Sequence, residues 1–335
     1  MSDSGGASVR MSALQYIRYG AEAAFFFLLI GLFRLLTTDA ASALGGFMGR
    51  AIFSLTPLTA RARANLRAAY PDKSDADLDP VVHEMWDNLG RTVAEYAHLD
   101  SFLIGGTNPR LEIEGLEHLD AAEGGGKSLI LVSGHFANWE ALPIAAAQCG
   151  VEGGAVYRPI NNPFVDRWIV GQRLKYGPKD QIAKGASGTR RIFTLLRARK
   201  AIFLLVDQKT NEGLAVPFFG RDAMTTPVPA ALALKLDAVL VPVSNERLHG
   251  PHFRVTIHPP IAFAPSGDHH RDVLALTSLI NAEIERFVRA HPSQWLWIHR
   301  RWPKLGESPR TRRGREAQAL AGAGVRVERD GSSLT

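Results

Sequence analysis

The chain has 335 residues, 46% of them hydrophobic, and a net charge of +6 in which arginine far outnumbers lysine. That length and apolar share suffice for one large core with an appendage, and the single cysteine, Cys149, excludes an intramolecular disulfide and a cysteine-based zinc site. The guanidinium surplus suits anionic partners, on nucleic acid or on lipid, although Arg310, Arg312, Arg313 and Arg315 place part of it near the C-terminus.

In chain order, residues 1–20 read as a small, polar, disordered lead. Residues 21–55 form an apolar helical segment centred on Ala23 to Phe33 (AAFFFLLIGLF). Eleven uninterrupted apolar residues fall short of the roughly 20 that cross a bilayer, and no small-residue cleavage site follows them. An anchor, an interfacial helix and a buried core helix all remain open; the Phe-rich run with basic flanks favours membrane contact. From Thr56 to about Leu103 the pattern is helical, in two amphipathic segments separated by Pro71.

From Arg110 onward strands and helices alternate. Strands are expected at 111–113, 129–132, 154–157, 202–206, 239–243 and 253–257. Helices are expected at 138–147, 163–176, 188–199, 229–236 and 272–290, the last from Val273, Leu276, Ile280, Ile284 and Phe287 at helical spacing. Such alternation predicts an α/β domain over 56–305, a central, mostly parallel sheet flanked by helices. Residues 306–335 read as a mobile basic tail.

Three polar clusters close three apolar strands. The first is Ser133-Gly134-His135 with Glu140 five positions on. On an ideal helix positions five apart point about 140° away from each other, so the pair converges only if His135 sits in the turn. The second is Tyr157-Arg158-Pro159 with Asn161-Asn162-Pro163, followed by Arg173. The third is Asp207-Gln208-Lys209, with Val216-Pro217-Phe218-Phe219-Gly220 as an apolar wall. A parallel sheet brings such strand ends to one rim, where α/β proteins bind ligands. Gly124 to Ser128 imitates the end of a phosphate loop but precedes a strand, and Asp268-His269-His270 reads as solvated, so no metal site is expected. No aromatic–basic stripe for nucleic acid appears beyond the block near Arg300.

The His135-to-Glu140 segment matches the H-x4-D/E signature of the glycerolipid and lysophospholipid acyltransferase superfamily. With Tyr157 to Pro163, Asp207-Gln208, Val216 to Gly220 and Gln294 to Trp302, the chain from about Ala21 to Lys304 resembles the lipid A late (lauroyl/myristoyl) acyltransferases of Gram-negative bacteria. The resemblance implies a glycerolipid acyltransferase-like fold at the cytoplasmic side of the inner membrane. It also implies transfer of a fatty acyl chain from an acyl carrier protein to a lipid A precursor hydroxyl, with no cofactor. His135 would be the general base and Glu140 its orienting carboxylate. Arg173, or failing that Arg158, would stabilise the oxyanion; Arg158, Asn162, Asp207, Gln208 and Phe219 would line the substrate pocket. An acceptor of another glycolipid or phospholipid type with a coenzyme A donor, or a non-catalytic lipid-binding protein, are the competing readings.

Overall fold

The structure is a computed structural model that describes residues 12–302. The expected tail over 306–335 and the first eleven residues lie outside the described residues. Helix α1 (Ala13–Arg34) begins inside the lead expected to be disordered, because Ser12 and Gln15 form a reciprocal capping box that satisfies its first amides. Helices α2 (Thr38–Ile52), α3 (Pro57–Ala69) and α4 (Asp75–Glu95) follow, α3 with Pro57 at its first turn and α4 with a Ser74–Asp77 capping box.

Helices α2 and α4 meet backbone to backbone. A Cβ on Gly49 would stand 2.1 Å from the Trp86 carbonyl oxygen, and one on Gly90 2.1 Å from that of Gly45, so only glycine permits the approach. Beside this seam lies a buried polar knot. Glu95 accepts from Ser42 Oγ (2.7 Å) and Asn138 Nδ2 (2.9 Å) and pairs with Arg247. The knot fastens the helical region to the loop that carries His135.

The α/β part runs β1 (Leu111–Glu114), α5 (Leu116–Gly124), β2 (Leu129–Ser133), α6 (Ala141–Gln148), β3 (Gly153–Tyr157) and α7 (Pro163–Tyr176). It continues through β4 (Asp180–Ala183), α8 (Ala186–Arg197) and β5 (Ala201–Leu205) to the hairpin β6 (Leu214–Phe218) and β7 (Arg221–Thr225). It ends with α9 (Val228–Leu236), β8 (Val239–His249), β9 (His252–Ile257) and α10 (His269–Ala290). Seven strands form one sheet in the order β1-β9-β8-β2-β5-β3-β4, parallel at every pairing except β8–β9. One apolar cluster packs α3, α4, α8, α9 and α10 on one face; a second packs α5 and α6 on the other. The architecture is the expected mostly parallel sheet flanked by helices.

Helix α5, strand β4 and the β6–β7 hairpin escaped the sequence reading. Strand β4 (DQIA) is short, polar and at the sheet edge, so it carries no apolar run. The β6–β7 hairpin turns on Phe219 and Gly220, both at positive φ (51° and 69°), the conformation of a tight two-residue turn.

Helix α1 is long and apolar enough to cross a membrane, yet it lies along α7. Tyr16 meets Phe164 and Phe26 meets Trp168, both ring pairs at 5.5 Å, and near its end Arg34 pairs with Asp100. The opposite side exposes Leu14, Ile17, Phe25, Leu28 and Leu32, and α2 exposes Phe47.

Candidate active site

Strands β2, β5 and β3 are consecutive in the sheet, with Ser133 beside Leu205 and Ala155 beside Phe203. Their C-terminal ends therefore bring His135, Asp207 and Arg158 to one rim. Past Ser133 the chain turns sharply. Gly134 is needed there because a Cβ would meet Phe136 Cε2 at 2.7 Å and Asp207 Oδ2 at 3.1 Å. His135 sits in this turn, outside α6, and its loop is clamped from behind: Ala137 N–H donates to Gln294 O (2.9 Å) and Leu296 N–H to His135 O (3.2 Å).

The carboxylate on the imidazole is Asp207. Its Oδ1 lies 2.8 Å from His135 Nδ1, while Oδ2 accepts from the His135 amide (2.8 Å) and the Trp295 indole (2.8 Å). The Asp207 side chain is 1% exposed and that of His135 17%. Burial by itself would raise the Asp207 pKa. The opposing charge of His135, the ring and backbone N–H bonds and the indole outweigh it and hold the carboxyl well below the usual range. An ionised carboxylate only accepts, so Nδ1 carries the hydrogen and Nε2 keeps its lone pair.

Nε2 opens on a cavity of about 510 Å³. It is lined by His135, Gln208, His299 and the exposed Arg158, which marks its mouth, and runs between the sheet and α6 past Leu119 and Val255. Gln208 Nε2 stands 3.2 Å from His135 Nε2 and 3.0 Å from His299 Nε2. On the cavity wall Arg173 Nε donates to Glu140 Oε2 (2.9 Å), and Tyr96 Oη donates to Glu140 Oε1 (2.6 Å). Burial opposes the charge on both partners, but their mutual attraction prevails: Glu140 is held low and Arg173 high. A base with its carboxylate, aimed into a mostly apolar cavity, can activate a hydroxyl against a lipid-like substrate.

Residues 10–304 match the bacterial lipid A biosynthesis acyltransferase family. The chain belongs to that family. It is an acyltransferase, and it is similar to lipid and glycolipid acyltransferases at 24–26% identity over the aligned residues. A lipid A biosynthesis acyltransferase of Haemophilus influenzae is 26% identical over 242 residues, covering 71% of this chain and 73% of the relative. A lipid A biosynthesis lauroyltransferase of Escherichia coli is 24% identical over 244 residues (71% and 76%). A phosphatidylinositol mannoside acyltransferase of Mycobacterium tuberculosis is 26% identical over 240 residues (69% and 73%).

Not every expected site residue of the acyltransferase stands where the sequence reading put it. Glu140 does not orient His135: it stands just before the first turn of α6 without a capping side-chain bond, points toward Tyr96 and Arg173, and leaves Nδ1 to Asp207. Arg173 lines the cavity but is neutralised by Glu140, which weakens it as an oxyanion group. Arg158 and Gln208 do line the cavity. Asn162 is withdrawn from it: its Oδ1 caps α7 at Phe164 and Val165, and its Nδ2 donates to Tyr19 O (2.9 Å) in α1. Phe219 is core. The hairpin turn drives its ring against Tyr70, Phe218 and Trp302.

The residues missed are His299, Trp295 and Tyr96. His299 and Trp295 belong to the Gln294-to-Trp302 block, a signal present in the sequence, but their meeting with Asp207 and Gln208 depends on that block folding back beneath the His135 loop. Tyr96 follows a helix with nothing local to mark it.

Proposed function

We propose that this acyltransferase moves a fatty acyl group from an acyl carrier protein thioester to a hydroxyl of a lipid A precursor, with His135 as general base and Asp207 as its carboxylate. The observation that carries this reading is the His135–Asp207 pair opening on a deep, largely apolar cavity. The acyl chain lies in the cavity with its thioester at the mouth. The acceptor hydroxyl approaches Nε2, gives up its proton as its oxygen attacks the carbonyl carbon, and His135 returns that proton to the departing thiolate. Asp207 stabilises the imidazolium between the two steps. Arg158, exposed at the mouth, meets anionic groups of the acceptor or the carrier.

The enzyme works at the cytoplasmic face of the inner membrane, held there by α1 and α2 lying in the interface. Supporting an in-plane helix is the docking of α1 along α7, whose own surface carries the exposed Arg167 and Lys175. A span through the bilayer would drag those charges into hydrocarbon, at roughly 2.5–3.5 kcal/mol each on insertion scales.

The mannoside relative favours a second reading, transfer to another glycolipid. Purified protein is incubated with an acyl-carrier thioester or acyl-coenzyme A and either a lipid A precursor or a mannosylated phosphatidylinositol, and products are weighed by mass spectrometry. Acylation of the lipid A precursor from the carrier thioester, lost about 10²–10⁴-fold in His135→Ala, is expected. Acylation of the mannoside alone selects the second reading, and unchanged transfer by His135→Ala overturns the mechanism.

A further inference from the structure

Gln208 stands between two imidazoles, His135 and His299, whose ring centres are 5.8 Å apart. An amide nitrogen carries two hydrogens and no free lone pair, so each ring must meet it with an unprotonated Nε2. For His135 that is the state Asp207 imposes through Nδ1–H. For His299, burial first and then the neighbouring His135 lower the pKa, with Asp207 opposing and Arg61 assisting, so the ring stays neutral and accepts. The His299 backbone is itself held, its carbonyl accepting from Asn65 Nδ2 in α3.

Attack on a thioester places negative charge on the carbonyl oxygen, and the site must offer it a donor. Arg173 is committed to Glu140, and Arg158 lies on the open rim. Gln208 is neutral, half-buried, on the cavity lining and 3.2 Å from the basic nitrogen. A hydroxyl arriving at Nε2 takes the place of the Gln208 hydrogen and releases that N–H beside the reacting carbon. The other amide hydrogen stays on His299.

We propose that Gln208 is the oxyanion donor of the acyl transfer and that His299 is the positioning residue that aims it. The inference rests on the thioester reading above. As the acceptor oxygen bonds to the carbonyl carbon, its proton passes to His135 Nε2 and the carbonyl π pair moves onto oxygen, where Gln208 N–H meets it. When that pair returns, the C–S bond breaks and the thiolate takes the proton from Nε2.

The test follows free thiol released from the acyl-carrier thioester by the full chain, with the lipid A precursor and with water as acceptors. Gln208→Ala lowers kcat about 10²–10³-fold with KM nearly unchanged, the loss typical of one oxyanion donor. Gln208→Glu keeps the shape but presents only acceptors, and falls at least as far. His299→Phe lowers kcat about tenfold by freeing the amide, whereas His299→Gln, whose oxygen reaches the same place as Nε2, retains activity within about threefold. A Gln208→Ala kcat near wild type beside an inactive His135→Ala overturns the proposal. Equal losses in His299→Phe and His299→Gln overturn the role of His299. Thiol release to water that depends on Gln208, without transfer to the lipid, sinks the acceptor reading and leaves the oxyanion donor standing. A wild type that releases no thiol at all overturns both.

Discussion

Replacing Asp207 by asparagine separates the base from its scaffold. Oδ2 accepts from two fixed donors, the His135 amide and the Trp295 indole, so an asparagine must place its oxygen there and its NH₂ where Oδ1 was. That NH₂ faces Nδ1, which can then only accept, and the imidazole is forced into the tautomer with hydrogen on Nε2. A base that already carries its proton cannot take the acceptor's. The same change in a Ser-His-Asp triad costs about 10⁴ in kcat, or about 5.5 kcal/mol, and we expect that loss for Asp207→Asn with little change in Tm. Glu140→Gln makes the opposite case. It leaves Nδ1 untouched but strands the Arg173 charge in the cavity wall, and breaking a buried pair costs about 3–5 kcal/mol of stability. Steady-state acyl transfer and thermal melting, measured on both variants in one detergent, decide. If Glu140→Gln loses more kcat than Asp207→Asn at unchanged Tm, the assignment of the carboxylates is reversed and the argument fails.

Gly134→Ala drives a methyl into Phe136 and toward Asp207 Oδ2; overpacking of this kind costs about 1–3 kcal/mol, so lowered Tm and lowered kcat are expected together, and a variant normal in both would show the turn to be slack. Asn162→Ala removes the α7 cap and the tie to Tyr19, costing about 1 kcal/mol for the cap; hydrogen exchange speeds up across α1 while kcat in detergent holds, and unchanged exchange refutes the tie. His258 lies against Phe287, and burial first, then Arg286, push its pKa down to about 4. Its folded pKa lies below the unfolded value of about 6.5, so this contribution to stability is full above that value and fades as pH falls toward 4. The expected effect is at most about 3 kcal/mol; His258→Gln flattens the fall in Tm between pH 7 and pH 5, and an equally steep fall in the variant excludes it.

The strands that build the site were legible because they are apolar runs ended by polar clusters, and the Gly134 break placed His135 in a turn. Asp207 was visible too, as a strand-end residue. Its pairing was not, because β2 and β5 are separated by three helices and become neighbours only in the sheet. A carboxylate five residues away looks nearer than one 72 residues away until the register is known. Asn162 and Phe219 show the complementary error. Both lie in segments that follow strands, but a cap and a tight turn use local backbone geometry to send their side chains inward, and residue type alone does not report that direction.

The five-residue spacing of His135 and Glu140 therefore serves two separate charge pairs. Each residue finds its partner across the cavity wall rather than in the other: His135 in Asp207 from the end of β5, Glu140 in Arg173 from α7. The turn that follows β2 sends the two side chains to different partners before α6 begins. Pairing with Glu140 lets the Arg173 guanidinium line the cavity with its charge offset in the wall. It also braces α7 against α6, and α7 is the helix along which α1 lies. The acid of the motif thus braces the cavity wall and α7, the helix along which α1 lies, while the ring of His135 is paired with Asp207 at the end of β5.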